Sequence, residues 1–136
     1  MFKKTFIPFI LILSLSVYGQ KKELKAVDKL VASQDYDTAL NQLLSLESVI
    51  DGSELKYQAQ YQFLAGKIYG AQKDFKAAFT AFDSAREIES ENGFSKHTAE
   101  IDKLMNGLSL EAVNKAIEEN QNENYAEASD LLILVY

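Results

Sequence analysis

The stretch Ala65-Gly66-Lys67-Ile68-Tyr69, followed by Asp74-Phe75-Lys76-Ala77-Ala78-Phe79, decides the fold of this 136-residue chain. A small residue and a glycine are followed three positions later by a tyrosine, and an aromatic residue opens the next segment. Phe82 and Ala85 then continue the second segment at helical spacing. The pattern predicts two helices that cross closely, because Gly66 and Ala78 are small enough to let the backbones approach each other.

Outward from this pair, the whole chain favours helix. Ala, Leu, Glu, Lys and Gln dominate, and the single proline lies near the N-terminus. Periodicity and turn residues predict helices over about 22–33, 36–49, 54–71, 74–89 and 96–120, and a last one from 125 that is still running at 136. The helix over 54–71 is apolar on two faces, which predicts neighbours on both sides. Gly107 marks a soft spot, since glycine costs about 1 kcal/mol relative to alanine within a helix.

A helix-opening pattern occurs three times, at Asp35-Tyr36, Asp74-Phe75 and Asn124-Tyr125. Each copy has an alanine three residues after the aromatic residue and a bulky apolar residue four positions further on. We expect these residues to pack the helices against each other: Tyr36, Ala39 and Leu43 in the first copy, Gly66, Tyr69, Phe75, Ala78, Phe82 and Ala85 in the middle copy, and Tyr125, Ala128 and Leu132 in the third.

These residues resemble the tetratricopeptide repeat (TPR), which has a small residue and Gly, a Tyr three positions on, and Ala-x3-Phe in its second helix. The middle copy matches at the family spacing, and the other two match mainly in their second helices. The aromatic residues lie 39 and 50 positions apart rather than 34, and the family's terminal proline is missing. The resemblance therefore implies an all-α, TPR-like solenoid of helical hairpins, with about three irregular repeats over residues 20–136. A generic helical bundle is the alternative.

In the TPR family, the inner faces of the first helices form a groove for a partner protein or peptide. Carried onto this chain, the groove positions are Lys21, Leu24, Asp28 and Val31 in the first copy, Gln60, Phe63, Lys67 and Gly70 in the middle copy, and Leu110, Val113 and Ile117 in the third. The Lys/Asn/Arg clamp that some members use for a terminal carboxylate is missing, since its first-copy positions hold Leu24 and Asp28. Packing of Leu24 and Phe63 in the core fits the sequence equally well.

Residues 1–19 have the layout of a secretory signal peptide, with a basic start, an apolar run over 6–18, and small residues before a cleavage site after Gly19. A membrane anchor is the alternative, although the run is shorter than the roughly 20 apolar residues of a spanning helix. The signal and the irregular repeats resemble the exported TPR proteins of Gram-negative envelopes. We expect a periplasmic, outer-membrane-associated or secreted protein with no membrane span after cleavage. The uncapped apolar end at 131–136 predicts that the array continues.

Composition excludes several function classes. The net charge of −6 argues against nucleic-acid binding, and the sequence has no Cys and one His, which excludes disulfides, thiolate metal sites and multi-His metal sites. Neither a phosphate loop nor a nucleophile elbow occurs. We expect His97 to be a surface residue, and Glu87, Glu89 and Glu91 to form a solvated face, as do Glu118 and Glu119.

The sequence thus predicts a non-enzymatic scaffold that binds another protein or peptide through a concave surface, with no metal or cofactor. Two alternatives stay open at this point. The first is a structural module that associates with itself through its last helix. The second is a glycan-binding protein that stacks sugars on Tyr57 and Tyr61, although packing in the core is the commoner use of such a pair.

Overall fold

A computed structural model describes the backbone of residues 7–136 and the side chains of residues 19–136. Over that range the chain forms seven helices and no strand, which confirms the all-α class. The helices are α1 (Ile7–Ala32), α2 (Tyr36–Ser45), α3 (Glu47–Ile50), α4 (Leu55–Ala71), α5 (Phe75–Glu91), α6 (Thr98–Gln121) and α7 (Tyr125–Ile133).

The helices pack in pairs that follow chain order. α1 packs against α2, α4 against α5, and α6 against α7. Contacts between the pairs join α4 to both α1 and α2, and α5 to α6. Each of these helix pairs therefore touches the next one along the chain.

The same turn joins the two helices of each pair. Gln34, Lys73 and Glu123 adopt positive φ of 63°, 62° and 64°, one residue before the polar residue that opens the second helix. The N–H of Gln34 donates to the Val31 carbonyl at 3.0 Å, and the equivalent bonds from Lys73 and Glu123 measure 3.2 Å. The next N–H donates to the carbonyl five residues back in all three turns, at 2.8–3.0 Å. This is the Schellman geometry, which satisfies the carbonyls left open at a helix C-terminus.

Two of these turns also cap the following helix. The Oδ1 of Asp74 accepts from the Ala77 N–H at 3.1 Å, and the Oδ1 of Asp35 accepts from the Thr38 N–H at 3.4 Å. A carboxylate at this position satisfies an N–H that has no partner within the helix. The short Asp-aromatic motif thus ends one helix and begins the next, which is why these turns could be predicted from the sequence.

The first helix differs from its prediction. α1 begins at Ile7 rather than near Lys22, and it continues through the predicted cleavage position after Gly19. Residues 1–6 of the predicted signal segment lie outside the described residues, as do the side chains of 7–18. In the part of the chain that is described, no helix has the length and apolarity to cross a membrane.

The second predicted helix is divided in two. α2 ends at Ser45 and α3 runs from Glu47 to Ile50, with Leu46 between them. The Leu46 N–H donates to the Leu43 carbonyl at 3.0 Å, three residues back, so the helix tightens there. Leu46 and Ile50 are both buried in the first core cluster.

The later helices follow the predicted bounds to within two residues until the last one. α6 passes through Gly107 without interruption, so the expected soft spot does not break the helix. α7 ends at Ile133, so the prediction that helix continues to residue 136 is wrong.

The core consists of two apolar clusters, and α4 contributes to both. Tyr57, Tyr61, Leu64 and Ile68 join the first cluster, with the buried faces of α1 and α2. Phe63 joins the second cluster, with residues of α5 and α6. The two apolar faces of α4 therefore correspond to two neighbours, as predicted.

Candidate functional site

Gly66 makes room for an aromatic ring at the crossing of α4 and α5. A Cβ at this position would lie 2.5 Å from Cδ1 and from Cε1 of Phe82, closer than atoms can approach. Phe82 is buried and packs against Phe63, with 6.3 Å between ring centroids. The small residue was expected to admit the opposing backbone, but the atoms that press on it belong to the Phe82 side chain.

Most of the predicted packing residues lie in the core. Tyr36 and Tyr69 are half-buried and the following are buried: Ala39, Leu43, Phe75, Ala78, Phe82, Ala85 and Ala128. Tyr125 and Leu132 were also predicted to pack, but both are exposed, so neither is part of the core that residues 19–136 form. The pattern therefore holds in the first two pairs and only in part in the third.

The predicted groove residues do not come together. Leu24 and Phe63 are buried core residues, which agrees with the alternative that they pack in the core. Asp28 and Ile117 are exposed, and Gln60 and Val113 are half-buried. One cleft lies between the first helices of the second and third pairs, and three of the predicted groove positions line it: Val31, Lys67 and Gly70. Among the candidates Leu24, Asp28, Gln60, Phe63, Lys67, Val113 and Ile117, only Lys67 does so.

That cleft, which we call the α4/α6 cleft, has a volume of about 350 Å³. Its walls come from α4 and α6, and the first helix pair closes one end with Val31 and Tyr36. Its apolar lining side chains are Phe82, Leu104 and Leu108, of which Leu104 is half-buried and the other two are buried. The remaining lining residues are glycines, an alanine and charged side chains: Gly66, Gly70, Ala71, Gly107, Lys67, Lys73, Lys103 and Glu111.

α4 and α6 run in the same direction along this cleft. Near the start of α6, the Lys67 ammonium lies 3.5 Å from the Glu100 carboxylate. Further along, a Cβ on Gly70 would lie 3.3 Å from the Leu108 methyl groups. Beyond that, Lys73 pairs with Glu111. Residues that advance along α4 therefore meet residues that advance along α6.

A buried carboxylate joins the second helix pair to the third. Glu89 is 0% exposed. It accepts from the backbone N–H of His97 at 2.9 and 3.0 Å, from the Thr98 N–H at 3.0 Å and from the Thr98 hydroxyl at 2.7 Å. Its Oε1 lies 2.8 Å from Nδ1 of His97, so an ionised carboxylate makes Nδ1–H the donor. The expectation of a solvated Glu89 is wrong, because its side chain caps the N-terminus of α6 from the preceding helix.

Opposing effects act on the ionisation of Glu89. Burial works to raise the pKa of its carboxyl group, but the hydrogen bonds from Thr98 and His97 outweigh burial and hold that pKa below its usual range. The carboxylate is thus stabilised in its charged form by donors that are fixed at a helix terminus.

His97 is buried, so the expectation that it is a surface residue is wrong. Its imidazole stacks on Phe63 with 4.4 Å between ring centroids and 27° between ring planes. The Lys67 ammonium lies 5.1 Å from the Phe63 ring centroid. Phe63 thus connects the buried Glu89–His97 pair to the rim of the α4/α6 cleft.

Glu119 is a second acidic residue that was expected in solvent and is buried. Lys115 lies 2.7 Å from its Oε1, and the Asn124 amide donates to its Oε2 at 2.7 Å. These two hydrogen bonds outweigh the effect of burial and lower its pKa. In the third pair, the opening residue Asn124 therefore uses its side chain to hold Glu119, whereas Asp35 and Asp74 cap their helices.

The tyrosine pair proposed for sugar stacking lies inside the first core cluster. Tyr57 and Tyr61 are both buried. Burial raises the pKa of Tyr61 to about 12, with smaller contributions from nearby acidic groups. Neither ring presents a face to solvent, so this arrangement supplies no aromatic platform for a glycan.

The outer face of the third pair, which we call the terminal face, is apolar. Ile133 is 71% exposed, Leu110 64% and Ile117 52%, and Tyr125 and Leu132 are also exposed. A shallow depression between α6 and α7 is lined by Asn120, Tyr125, Ala128, Ser129, Leu132, Ile133 and Tyr136. In contrast, the solvent face of α1 carries Lys21, Lys22, Glu23, Lys25, Asp28 and Lys29.

The sequence analysis did not identify Lys103, Gly107 and Glu111 as cleft residues, because the third copy was aligned on Leu110, Val113 and Ile117. It also missed Lys73, which lies in the turn after α4, beyond the groove positions of the middle copy. The parallel course of α4 and α6 shifts the cleft to an earlier part of α6. Lys103, Gly107 and Glu111 recur every four residues, and Leu104 and Leu108 follow the first two. This spacing places them along one side of a helix, and it could have indicated the cleft. Among residues 19–136, no cluster of three or more His, Asp or Glu side chains has a geometry that could hold a metal ion.

No protein-family model matches this chain, and comparisons with curated proteins and with solved structures found no match.

Proposed function

We propose that this chain is a TPR-type scaffold without catalytic activity, which binds a partner protein or peptide in the α4/α6 cleft. The fold part of this proposal draws support from the repeated turn, because Gln34, Lys73 and Glu123 share one backbone geometry and precede equivalent aromatic residues. Helix pairs that repeat a turn and touch in chain order are typical of helical repeat proteins.

The binding part rests on a single observation, the α4/α6 cleft itself. It combines an apolar floor, in which Leu104 is half-buried, with a charged rim, and it is bounded by elements of all the helix pairs. Rigid helices on both sides hold its shape before a ligand arrives, which lowers the entropic cost of binding.

Site-specific photocrosslinking in the native cell envelope tests this function. A photoreactive amino acid replaces Lys103 at the cleft, or Lys25 on the exposed face of α1 as the matched control. We expect a discrete crosslinked product at position 103 and none at position 25, with the partner identified by mass spectrometry. Equal crosslinking at both positions, or none at position 103, would contradict binding in the cleft.

We also propose that the chain is exported after removal of residues 1–19. The basic start, apolar run and small residues before Gln20 support this route. The intact mass of the protein isolated from the periplasm or from the outer-membrane fraction should correspond to a chain that begins at Gln20. A mass that retains residues 1–19 would instead favour the anchor.

The terminal face favours a second candidate function, self-association of a structural module. Its exposed residues form an apolar surface of the kind that marks interaction sites. Sedimentation over a range of concentrations should then show a dimer that Ile133→Asp abolishes and that Val49→Asp, at an exposed apolar residue of α3, leaves unchanged. A monomer at every concentration would remove this candidate.

A further inference from the structure

We propose that Asn92 is a site of spontaneous modification, converted to aspartate and isoaspartate by attack of the Gly93 nitrogen, and that this change weakens the connection between the second and third helix pairs. That connection, residues 89–98, is called the joint below. The site lies outside the α4/α6 cleft and does not depend on the proposed binding function. The same dipeptide recurs at Asn106-Gly107 inside α6, which makes it a matched control within one chain.

The sequence limits the reaction to these two asparagines. An asparagine amide is attacked by the backbone nitrogen of the next residue, and glycine leaves that nitrogen the least shielded because it has no side chain. Only Asn92 and Asn106 precede a glycine. The other asparagines all precede residues with long or bulky side chains: Asn41, Asn114, Asn120, Asn122 and Asn124.

Solvent access does not distinguish the two sites, but backbone hydrogen bonding does. Both asparagines and both glycines are exposed. Gly107 lies within α6, where its N–H donates to the carbonyl four residues back. Ring closure requires rotation about the bond between Cα and the carbonyl carbon of Asn106, which would break helical hydrogen bonds on both sides. The helix therefore protects Asn106.

The turn after α5 leaves the attacking nitrogen without such a restraint. No carbonyl of residues 19–136 accepts from the N–H of Asn92 or of Gly93. At the equivalent place after α4, the Lys73 N–H does donate to a carbonyl, at 3.2 Å. The Asn92 Nδ2 donates to the Ile88 carbonyl at 2.7 Å, but this bond is exposed, so water can replace either partner.

The turn itself requires the glycine that makes Asn92 reactive. Gly93 has a φ of 73°, in the left-handed region that favours glycine. A side chain at this position would shield the nitrogen, but it would also strain the backbone of the turn. The conformation that ends α5 therefore carries the reactive dipeptide with it.

The reaction needs only base and water. The Gly93 nitrogen loses its proton to solvent base and forms a bond to Cγ of Asn92, while the bond from Cγ to Nδ2 breaks and ammonia leaves. The resulting succinimide takes up a water molecule. Opening at Cγ yields aspartate, and opening at the α-carbonyl yields isoaspartate, in which the backbone runs through the former side chain. Either product adds a negative charge.

The modification falls within the joint that Glu89 holds together. The Glu89 carbonyl accepts from the Phe94 N–H at 3.1 Å, and its carboxylate caps α6 through His97 and Thr98. Isoaspartate would add a methylene group to the backbone between these contacts. Either product also places a carboxylate at the C-terminus of α5, where the helix dipole disfavours negative charge. Both changes should weaken the cap of α6.

Timed incubation of the purified protein at mildly alkaline pH tests the assignment. Trypsin releases the two sites on separate peptides, residues 87–96 and 104–115, and tandem mass spectrometry follows the conversion of amide to acid in each. We expect Asn92 to react at least about tenfold faster than Asn106, which is about 1.4 kcal/mol, the scale of one net hydrogen bond. In guanidinium chloride, which unfolds the chain, the two rates should become similar.

The effect on the joint is measured on protein that has been aged in this way. Anion-exchange chromatography separates the more acidic, modified fraction, which should melt at a lower temperature and show faster hydrogen exchange at the N-terminus of α6. Asn92→Gln blocks the reaction, because a side chain longer by one methylene closes its ring far more slowly, so this variant should keep its melting temperature on ageing. Asn106→Gln is the matched control and should age as the unmodified chain does.

Each part of the proposal can be overturned separately. Equal rates at the two sites in the folded protein, or a faster reaction at Asn106, would refute the assignment of Asn92. A difference between the sites that persists in guanidinium chloride would show that the fold is not its source. If Asn92 reacts as expected but the modified fraction keeps its melting temperature and its hydrogen exchange, the modification does not weaken the joint.

Discussion

The first and third helix pairs place equivalent residues in opposite surroundings. Leu43 and Leu132 both lie seven positions after the aromatic residue that opens the second helix of their pair. Leu43 is 1% exposed and Leu132 is 38% exposed. The difference comes from α4, which covers the first pair, whereas no helix within residues 7–136 covers the outer face of the third. The comparison teaches that the repeat pattern specifies a helix pair, while burial depends on what packs against it.

The largest effect should distinguish these two leucines. Leu43→Ala should lower the free energy of unfolding by about 2–5 kcal/mol, because it leaves a cavity in the first core cluster. Leu132→Ala should cost less than about 1 kcal/mol, because solvent already reaches the side chain. Urea denaturation followed by circular dichroism measures both values. Equal losses would show that the terminal face is covered in solution.

The two glycines that line the cleft should respond in opposite directions. Gly66→Ala should lower stability by about 1–3 kcal/mol, because its Cβ meets the Phe82 ring. Gly107→Ala should raise stability by up to about 1 kcal/mol, because it has space and alanine favours helix. Thermal unfolding measures both variants. Losses of similar size at the two positions would refute the difference in packing that separates the second pair from the third.

The two connections between helix pairs should differ in their response to acid. Glu89 holds the linker between the second and third pairs, whereas the linker between the first and second pairs is held by the neutral Gln58 amide, which donates to the Asp51 and Ser53 carbonyls at 3.1 and 2.9 Å. The pKa of Glu89 is lowered in the folded state, so its contribution to stability is present at neutral pH and is lost as the pH falls below the ordinary value of 4.5. Hydrogen exchange should therefore speed up first at the N-terminus of α6.

Glu89→Gln is the matched variant for this connection. It should cost about 1–3 kcal/mol at neutral pH, because glutamine cannot accept all the hydrogen bonds that the carboxylate accepts. Its stability should also fall less between pH 6 and pH 3.5 than that of the unmodified chain. An identical pH profile for the two proteins would show that Glu89 does not control the acid response.

The smallest effects should be alike in the first and third pairs. Gln34→Gly and Glu123→Gly each remove a side chain from the left-handed region, where glycine is favoured. Each should raise the free energy of unfolding by no more than about 1 kcal/mol, measured by calorimetry. A loss of stability at either turn would mean that the side chain makes contacts that outweigh the backbone strain.

Much of the fold could be predicted because its signals are local. The Asp35, Asp74 and Asn124 turns, the apolar periodicity and the two-sided α4 all follow from neighbouring residues. The break at Leu46 could not be predicted in this way, because it depends on where Leu46 and Ile50 find space in the core.

The candidate site was harder to predict because it depends on contacts between helices. Glu89 and His97 lie eight residues apart, and neither forms a motif alone. Only the fold places the Glu89 carboxylate at the start of α6, where donors replace solvent. The cleft was displaced for a similar reason, since a repeat of irregular length leaves the register of α6 on α4 undetermined until their packing is known.

The fit of Gly66 against Phe82 has an evolutionary consequence. A bulkier residue at position 66 is compatible with this crossing only if position 82 shrinks at the same time, so a lineage cannot alter one freely without the other. Descendants of this chain should therefore record paired exchanges at the two sites, with alanine or serine at 66 accompanied by leucine or smaller at 82.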